Sequence, residues 1–173
     1  MTDSRYLIVG ASHAALAALA AIRMHDSEGS LTLMTREDEL PYSPTVLPYV
    51  VSGRSAPDNV FLRDEAYFSQ QRIDYLPGKT LAGIDAAKKR ARLASGEEIA
   101  FDKLLLATGA APSLPPIPGL ASVGFHVLRT LSDASGLRQA LPGAKSAVVL
   151  GGGLIGMHAA ENLAKAGVAV TVV

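Results

Sequence analysis

The chain has 173 residues, no cysteine, and 16 basic against 16 acidic side chains, for a net charge of zero. Without cysteine there are no disulfides, thiolate metal centres or thiol redox relays within these residues. Balanced charge with no basic run argues against nucleic acid or an anionic membrane as the main partner. Apolar residues make up 49%, enough for a real core, yet the longest apolar run, residues 14–22, falls far short of the ~20 needed to span a bilayer. The N-terminal Met-Thr-Asp-Ser-Arg carries an acid and leads straight into a strand-like run. It does not read as a signal peptide, and a soluble cytoplasmic protein is expected. His13, His25, His126 and His158 are scattered without metal-ligand spacing, so no metal site is expected.

Residues 6–9 form an apolar run ending at Gly10 and predict a buried parallel strand. Residues 14–24, rich in Ala and Leu, predict a helix. Residues 31–35 predict a second strand, completing a strand–helix–strand unit of about 30 residues. Residues 40–49 hold three prolines and read as an irregular loop packed against something. A short helix over 64–71 and a strand over 73–76 follow. Residues 79–85, 90–94 and 97–101 read as a small antiparallel meander with Ser95-Gly96 as a turn. Residues 103–109 predict a buried strand entering a glycine turn. Residues 110–120, with four prolines, read as a connector, and 133–141 as a helix. Residues 147–150 then restart the opening pattern: strand, glycine-rich turn, helix to 166, strand over 168–173. The same unit thus occurs twice, at 5–35 and 147–173. The second copy has no following elements to cover it, so the chain is expected to be a truncated piece of something longer.

Gly151, Gly153 and Gly156 stand at G-x-G-x-x-G spacing between a predicted strand and a predicted helix. That is the dinucleotide fingerprint in its required context. The first glycine permits the tight turn, the second lets the backbone approach a pyrophosphate, and the third lets helix and strand pack closely. The helix N-terminus offers N–H groups and a positive dipole end. Gly10, Ser12 and Ala15 form a weaker version, with Ser12 where the second glycine belongs. This turn reads either as a second phosphate site or as a structural turn. Glu37, after the second strand, is a candidate for a ribose hydroxyl, and Arg36 precedes it in what also reads as a solvated charge run. Two nucleotide sites imply two dinucleotides, most economically FAD plus a nicotinamide cofactor placed for hydride transfer.

Five segments in order carry a resemblance: Tyr6-Leu-Ile-Val-Gly10, residues 101–112 around Ala107-Thr108-Gly109, Pro116-Ile-Pro-Gly119, Leu128-Arg-Thr130 and Gly151-Gly-Gly-Leu-Ile-Gly156. Together they resemble the N-terminal part of the pyridine nucleotide–disulfide oxidoreductase superfamily. The similarity is greatest to ferredoxin, rubredoxin and nitrite reductase-like flavoproteins and to NADH oxidase and coenzyme A disulfide reductase relatives. The fold implied is α/β. A Rossmann-like FAD-binding domain, a parallel sheet with a small β-meander, spans 1–112. A connector spans 113–146, and 147–173 begin a second Rossmann-like NAD(P)-binding domain.

The resemblance implies that Gly10, Ser12, Ala14 and Ala15 contact the FAD pyrophosphate, and Glu37 or Arg36 its adenosine ribose. It places Leu81 near the adenine, and Ala107, Thr108, Gly109 and Arg129 on the flavin side. Gly151, Gly153, Ile155 and Gly156 would serve NAD(P)H. Thr45 falls where thiol-using relatives carry a redox cysteine, and His158 where many relatives have a Glu near the nicotinamide pocket. His158 therefore reads as a helix-face histidine or as a general acid. The implied function is an FAD-dependent NAD(P)H oxidoreductase that passes electrons, without a redox cysteine, to a separate electron-acceptor protein. One alternative is a flavin/NAD electron-transfer subunit working with iron–sulfur partner subunits, with NAD reduction as one direction. A second is a non-catalytic nucleotide-binding module. Residues 1–173 alone are expected not to turn over.

Overall fold

The structure, a computed structural model, describes residues 4–173. In chain order the elements are β1 (Arg5–Val9), α1 (His13–His25), β2 (Ser30–Met34), α2 (Leu47–Val51), α3 (Glu65–Gln70) and β3 (Ile73–Leu76). These are followed by β4 (Leu81–Asp85), β5 (Arg90–Leu93), β6 (Glu98–Ala100), β7 (Lys103–Leu106), α4 (Leu131–Ala140), β8 (Ser146–Val149), α5 (Leu154–Lys165) and β9 (Ala169–Val172). They form two compact units. The first takes the chain up to Tyr42 together with Phe61–Gly109, and the second takes Ser43–Val60 together with Ala110–Val173.

In the first unit a four-stranded parallel sheet has the order β3-β2-β1-β7. Side chains alternate along each strand, and both faces of the central strand β1 are covered, which is why it reads as an unbroken apolar run; the edge strand β7, expected to be buried, leaves Leu105 and Leu106 exposed. Ile8, Leu31 and Leu33 face Ala15, Leu16 and Leu19 of α1 and Phe68 of α3. Leu7, Val9 and Met34 face Ala91, Leu93 and Phe101 of the meander β4-β5-β6. Each such Leu, Ile or Met contributes about 1.5–3 kcal/mol by leaving water. Arg5 grips Asp102 through Nε and Nη2, at 3.0 and 2.9 Å. That grip holds the Asp102 carboxyl well below the usual carboxylate range.

In the second unit β8 and β9 pair in parallel, Ser146 to Val149 opposite Ala169 to Val172, with α5 as their crossover. The sheet is largely uncovered, as the sequence predicts: Val148 is 72% and Val172 38% exposed. Residues 40–49 depart from the expected irregular loop. Pro44–Val46 make a 3-10 turn and Leu47–Val51 a short helix. Pro48 sits in the first turn of α2, where a missing N–H breaks no helical bond, so the prolines here start a helix. Helix α4 begins earlier than predicted, at Leu131. Thr130 Oγ1 accepts from the Asp133 N–H while Asp133 Oδ2 accepts from the Thr130 N–H, a reciprocal cap. The strand predicted over 103–109 ladders only as far as Leu106. Among the described residues no helix is long and apolar enough to cross a membrane, and no cluster of His, Asp or Glu is arranged to hold a metal ion.

Candidate functional site

Gly10 opens the first strand-to-helix turn with φ +109°, and a Cβ there would stand 2.1 Å from the Ala107 carbonyl oxygen. Only glycine fits. The Gly10 N–H donates to the Met34 carbonyl and the Ala107 N–H to the Val9 carbonyl, both at 2.8 Å. These bonds carry the end of β7 against the turn. Ala107 lies beside Gly10, Thr108 is exposed, and Gly109 is left-handed at φ +67°. Ser12 is the N-cap residue of α1, but its hydroxyl donates to the Tyr42 carbonyl at 3.3 Å rather than to the helix. Ala14 is exposed in the first turn, while Ala15 is fully buried and seats the helix on the sheet. The first helical bond runs from the Leu16 N–H to the Ser12 carbonyl, leaving the Ala14 and Ala15 amides beyond the reach of the helix ladder.

After β2, Glu37 is half-buried and accepts a hydrogen bond from the Tyr42 hydroxyl. Its own N–H donates to Thr35 Oγ1 at 3.3 Å, and its carbonyl accepts from the Gly78 N–H at 3.0 Å. Arg36 is exposed. Glu37 is thus the residue of the pair that the fold fixes. Tyr75, which donates to the Glu39 carbonyl at 2.8 Å, is pushed up to about 12 by burial first and by Glu37 and Glu39 second. Leu81 opens β4, half-buried and paired with Leu93.

The second turn is built differently. Gly151 has φ +106° and donates to the Val173 carbonyl at 2.7 Å. A Cβ on Gly156 would stand 2.0 Å from the Gly151 carbonyl oxygen, so the third glycine lets α5 close on the turn. Gly153 caps α5 at φ −72°, ψ 173°, a conformation open to any residue. A Cβ on it would meet no atom within 4 Å. No contact within the described protein requires this glycine. A bare Cα at a helix N-terminus, facing open space, fits the close approach of a phosphate.

The second unit also holds a cleft of about 540 Å³, whose lining includes Thr45, Tyr49, Leu128, Arg129, Ile155 and His158. Thr45 Oγ1 and Ser43 Oγ share a hydrogen bond of 2.7 Å. The Arg129 guanidinium is steadied by Nε donating to the Ala110 carbonyl at 2.8 Å. The His158 ring meets Tyr49 edge to face, with centroids 5.0 Å apart and planes at 77°, and Arg54 stacks over the same tyrosine at 5.0 Å. Behind them Asn162 is fully buried. Its Nδ2 donates to the His158 carbonyl and its Oδ1 accepts from the Ser52 hydroxyl, both at 2.9 Å.

The residues singled out from sequence thus divide between the units. Gly10, Ser12, Ala14, Ala15, Arg36, Glu37, Leu81, Ala107, Thr108 and Gly109 lie in the first, and Thr45, Arg129, Gly151, Gly153, Ile155, Gly156 and His158 in the second. Sequence reasoning passed over Tyr49, Ser52 and Asn162. Tyr49 lay in a stretch taken for a loop, and nothing marks Asn162 as buried.

Two strand–turn–helix units, each with one glycine where a Cβ would strike a backbone carbonyl oxygen, define a protein of the two-dinucleotide type. The chain belongs to the pyridine nucleotide-disulphide oxidoreductase family, whose description matches residues 4–173. Members of this family bind FAD and NAD(P)H. The chain is 58% identical over 170 residues to the NADH-dependent phenylglyoxylate dehydrogenase subunit epsilon of Aromatoleum evansii, covering 98% of this chain and 40% of that protein. It is 36% identical over 165 residues to the biphenyl dioxygenase system ferredoxin–NAD(+) reductase component of Paraburkholderia xenovorans, covering 95% of this chain and 40% of that one. Among solved structures, a ferredoxin reductase from Rhodopseudomonas palustris matches with TM-score 0.89 at 32% identity, over 98% of this chain and 42% of that one. The covalent putidaredoxin reductase–putidaredoxin complex matches at 0.88 and 28%, over 99% and 42%. The chain spans about 40% of the length of these relatives.

Proposed function

We propose that the chain is the FAD- and nicotinamide-binding part of an NAD(P)H oxidoreductase that exchanges electrons with a separate protein, and that it works in the cytoplasm. The observation that carries this reading is Gly153, a helix-capping glycine that no protein contact requires. When bound, FAD and NAD(P)H supply the hydride chemistry. The chain's own residues bind and orient. In the reading proposed, residues 1–112 hold the first part of the FAD-binding domain, 113–146 connect, and 147–173 begin the NAD(P)-binding domain. Gly10, Ser12, Ala14 and Ala15 present backbone to the FAD pyrophosphate. Glu37 accepts from the adenosine ribose, with Arg36 beside it and Leu81 near the adenine. Ala107, Thr108, Gly109 and Arg129 line the flavin side. Gly151, Gly153, Ile155 and Gly156 receive the nicotinamide nucleotide. Thr45 offers no thiol at the cleft, so these residues supply no thiol relay, and electrons pass to an external acceptor.

The test is anaerobic titration of the FAD-loaded protein with NADH and NADPH, following the flavin absorbance. Stoichiometric bleaching by one of them is expected. A protein that takes up no FAD, or whose FAD neither nucleotide bleaches, overturns the reading. The 58% identity to a dehydrogenase subunit favours a second, finer reading: the acceptor or donor is another subunit of one complex, and NAD reduction is among its directions. Co-purification with larger subunits is expected on that reading, and a solitary protein counts against it.

A further inference from the structure

Tyr42 belongs to the first unit and is 6% exposed. A buried phenol needs a hydrogen-bond acceptor for its hydroxyl. Tyr42 finds it in a carboxylate: the hydroxyl donates to Glu37 Oε2. The residue is itself held in place. Its backbone bridges to Phe61, the preceding Pro41 carbonyl accepts from the Leu62 N–H at 2.7 Å, and its own carbonyl accepts from the Ser12 hydroxyl at 3.3 Å. One buried residue therefore ties the first glycine turn to the acid that follows β2, all within one unit.

The chemistry of the donor matters. An arginine or lysine in this place would neutralise the carboxylate. A phenol is uncharged, so it orients the group and leaves its negative charge in place. A carboxylate has about four lone-pair sites, and Tyr42 takes one. Among the described residues Glu37 Oε1 accepts no hydrogen bond. The second phenol nearby does not compete, because the Tyr75 hydroxyl donates to the Glu39 carbonyl. An oriented, charged carboxylate with open lone pairs matches a vicinal diol, which offers a pair of O–H donors side by side. A mobile glutamate would lose rotamer freedom on receiving that diol; one already held has lost it on folding. Resting on the reading above, that Glu37 receives the adenosine ribose of FAD, we propose that Tyr42 is the positioning residue for that contact: its hydroxyl holds the Glu37 carboxylate set for the ribose diol. Tyr42 acts through Glu37 and not on the nucleotide.

For the experiment, flavin is removed from the full-length protein and returned in two forms: FAD, and FAD whose adenosine ribose lacks both hydroxyls. Dissociation constants are read by flavin fluorescence. The readout is the ratio of the dideoxy constant to the FAD constant, in which a general loss of binding cancels. Glu37→Ala is expected to bring that ratio close to unity. Tyr42→Phe is expected to lower it about fivefold, and to lower it no further in a chain already carrying Glu37→Ala. Replacing Tyr42 by para-aminophenylalanine, which keeps a donor at the tip of the ring, is expected to restore the ratio. Replacing it by para-fluorophenylalanine, of similar size and without a donor, is not, and this form stands in for Tyr42→Phe should that variant fail to fold. A ratio that Tyr42→Phe leaves unchanged, while Glu37→Ala lowers it, overturns the proposal and leaves the ribose reading intact. A ratio that Glu37→Ala leaves unchanged, or a protein that takes up no FAD, overturns both.

Discussion

The two strand-to-helix turns use the same spacing and crowd different positions. In the first, the tight contact falls on the opening glycine, whose missing Cβ makes way for the Ala107 carbonyl on a strand from the far end of the unit. In the second it falls on the third glycine, whose missing Cβ makes way for the Gly151 carbonyl within the same turn. The third position of the first turn is Ala15, fully buried with its methyl group accommodated. The middle position is serine in one turn and a glycine in open space in the other. A G-x-G-x-x-G string is therefore not a single device. Some of its glycines answer to the protein's own packing and some meet nothing of the protein at all, and the structure separates them.

The largest expected effects test the packing glycines. Gly10→Ala and Gly156→Ala each force a Cβ into a carbonyl oxygen, Gly10→Ala at a left-handed φ as well. Each is expected to cost about 3 kcal/mol or more. Urea denaturation should show this as a lower midpoint, and a midpoint within error of the parent would break the comparison. Next comes the buried bridge behind the cleft. Asn162→Ala removes the two side-chain bonds to the Ser52 hydroxyl and the His158 carbonyl from a fully buried position and is expected to cost about 2 kcal/mol, read by the same method. Gly153→Ala sharpens the contrast from the other side. Stability is expected to stay within about 0.5 kcal/mol, while NAD(P)H affinity falls about tenfold, or 1.4 kcal/mol. A stability loss matching that of Gly156→Ala would show that Gly153 serves the fold after all. The smallest effect belongs to Asp102→Asn. The folded Asp102 carboxyl is held down by Arg5, so its contribution to stability is present above the ordinary carboxylate pKa of about 4 and is lost as pH falls below it. Melting curves of parent and variant should differ at about pH 7 and draw together only as pH falls well below about 4, through the lowered pKa of the folded carboxyl.

Local chemistry made much of this visible in the sequence. Strands β1, β2, β3 and β8 are short, mostly apolar segments bounded by turn residues, and the Gly151 turn announces itself by its spacing between strand and helix, while the Gly10 turn stayed open between two readings. The family resemblance then supplied the expected cofactors, FAD and NAD(P)H. What stayed hidden was non-local. The prolines of residues 40–49 read as loop because proline breaks helices, yet Pro48 starts α2. Tyr49 and His158 meet across 109 positions of sequence, and no pattern in either neighbourhood points to the other. Asn162 looks like any polar residue on a helix face, and only the packing of α2 against α5 buries it. The cleft that these residues build was for that reason not readable residue by residue.

The Gly10 turn carries one further consequence. Strand β1 lies between β2, which follows it closely, and β7, whose first contact, between Arg5 and Asp102, spans 97 positions. The seat for Gly10 is completed only by Ala107. At a synthesis rate of about 5–20 residues per second, the nascent chain waits about 5–20 s between making the turn and making what closes it. Through that interval the Gly10 turn exists only as a half-built unit of strand and helix, and its completion waits on a long loop closure, not on its own residues.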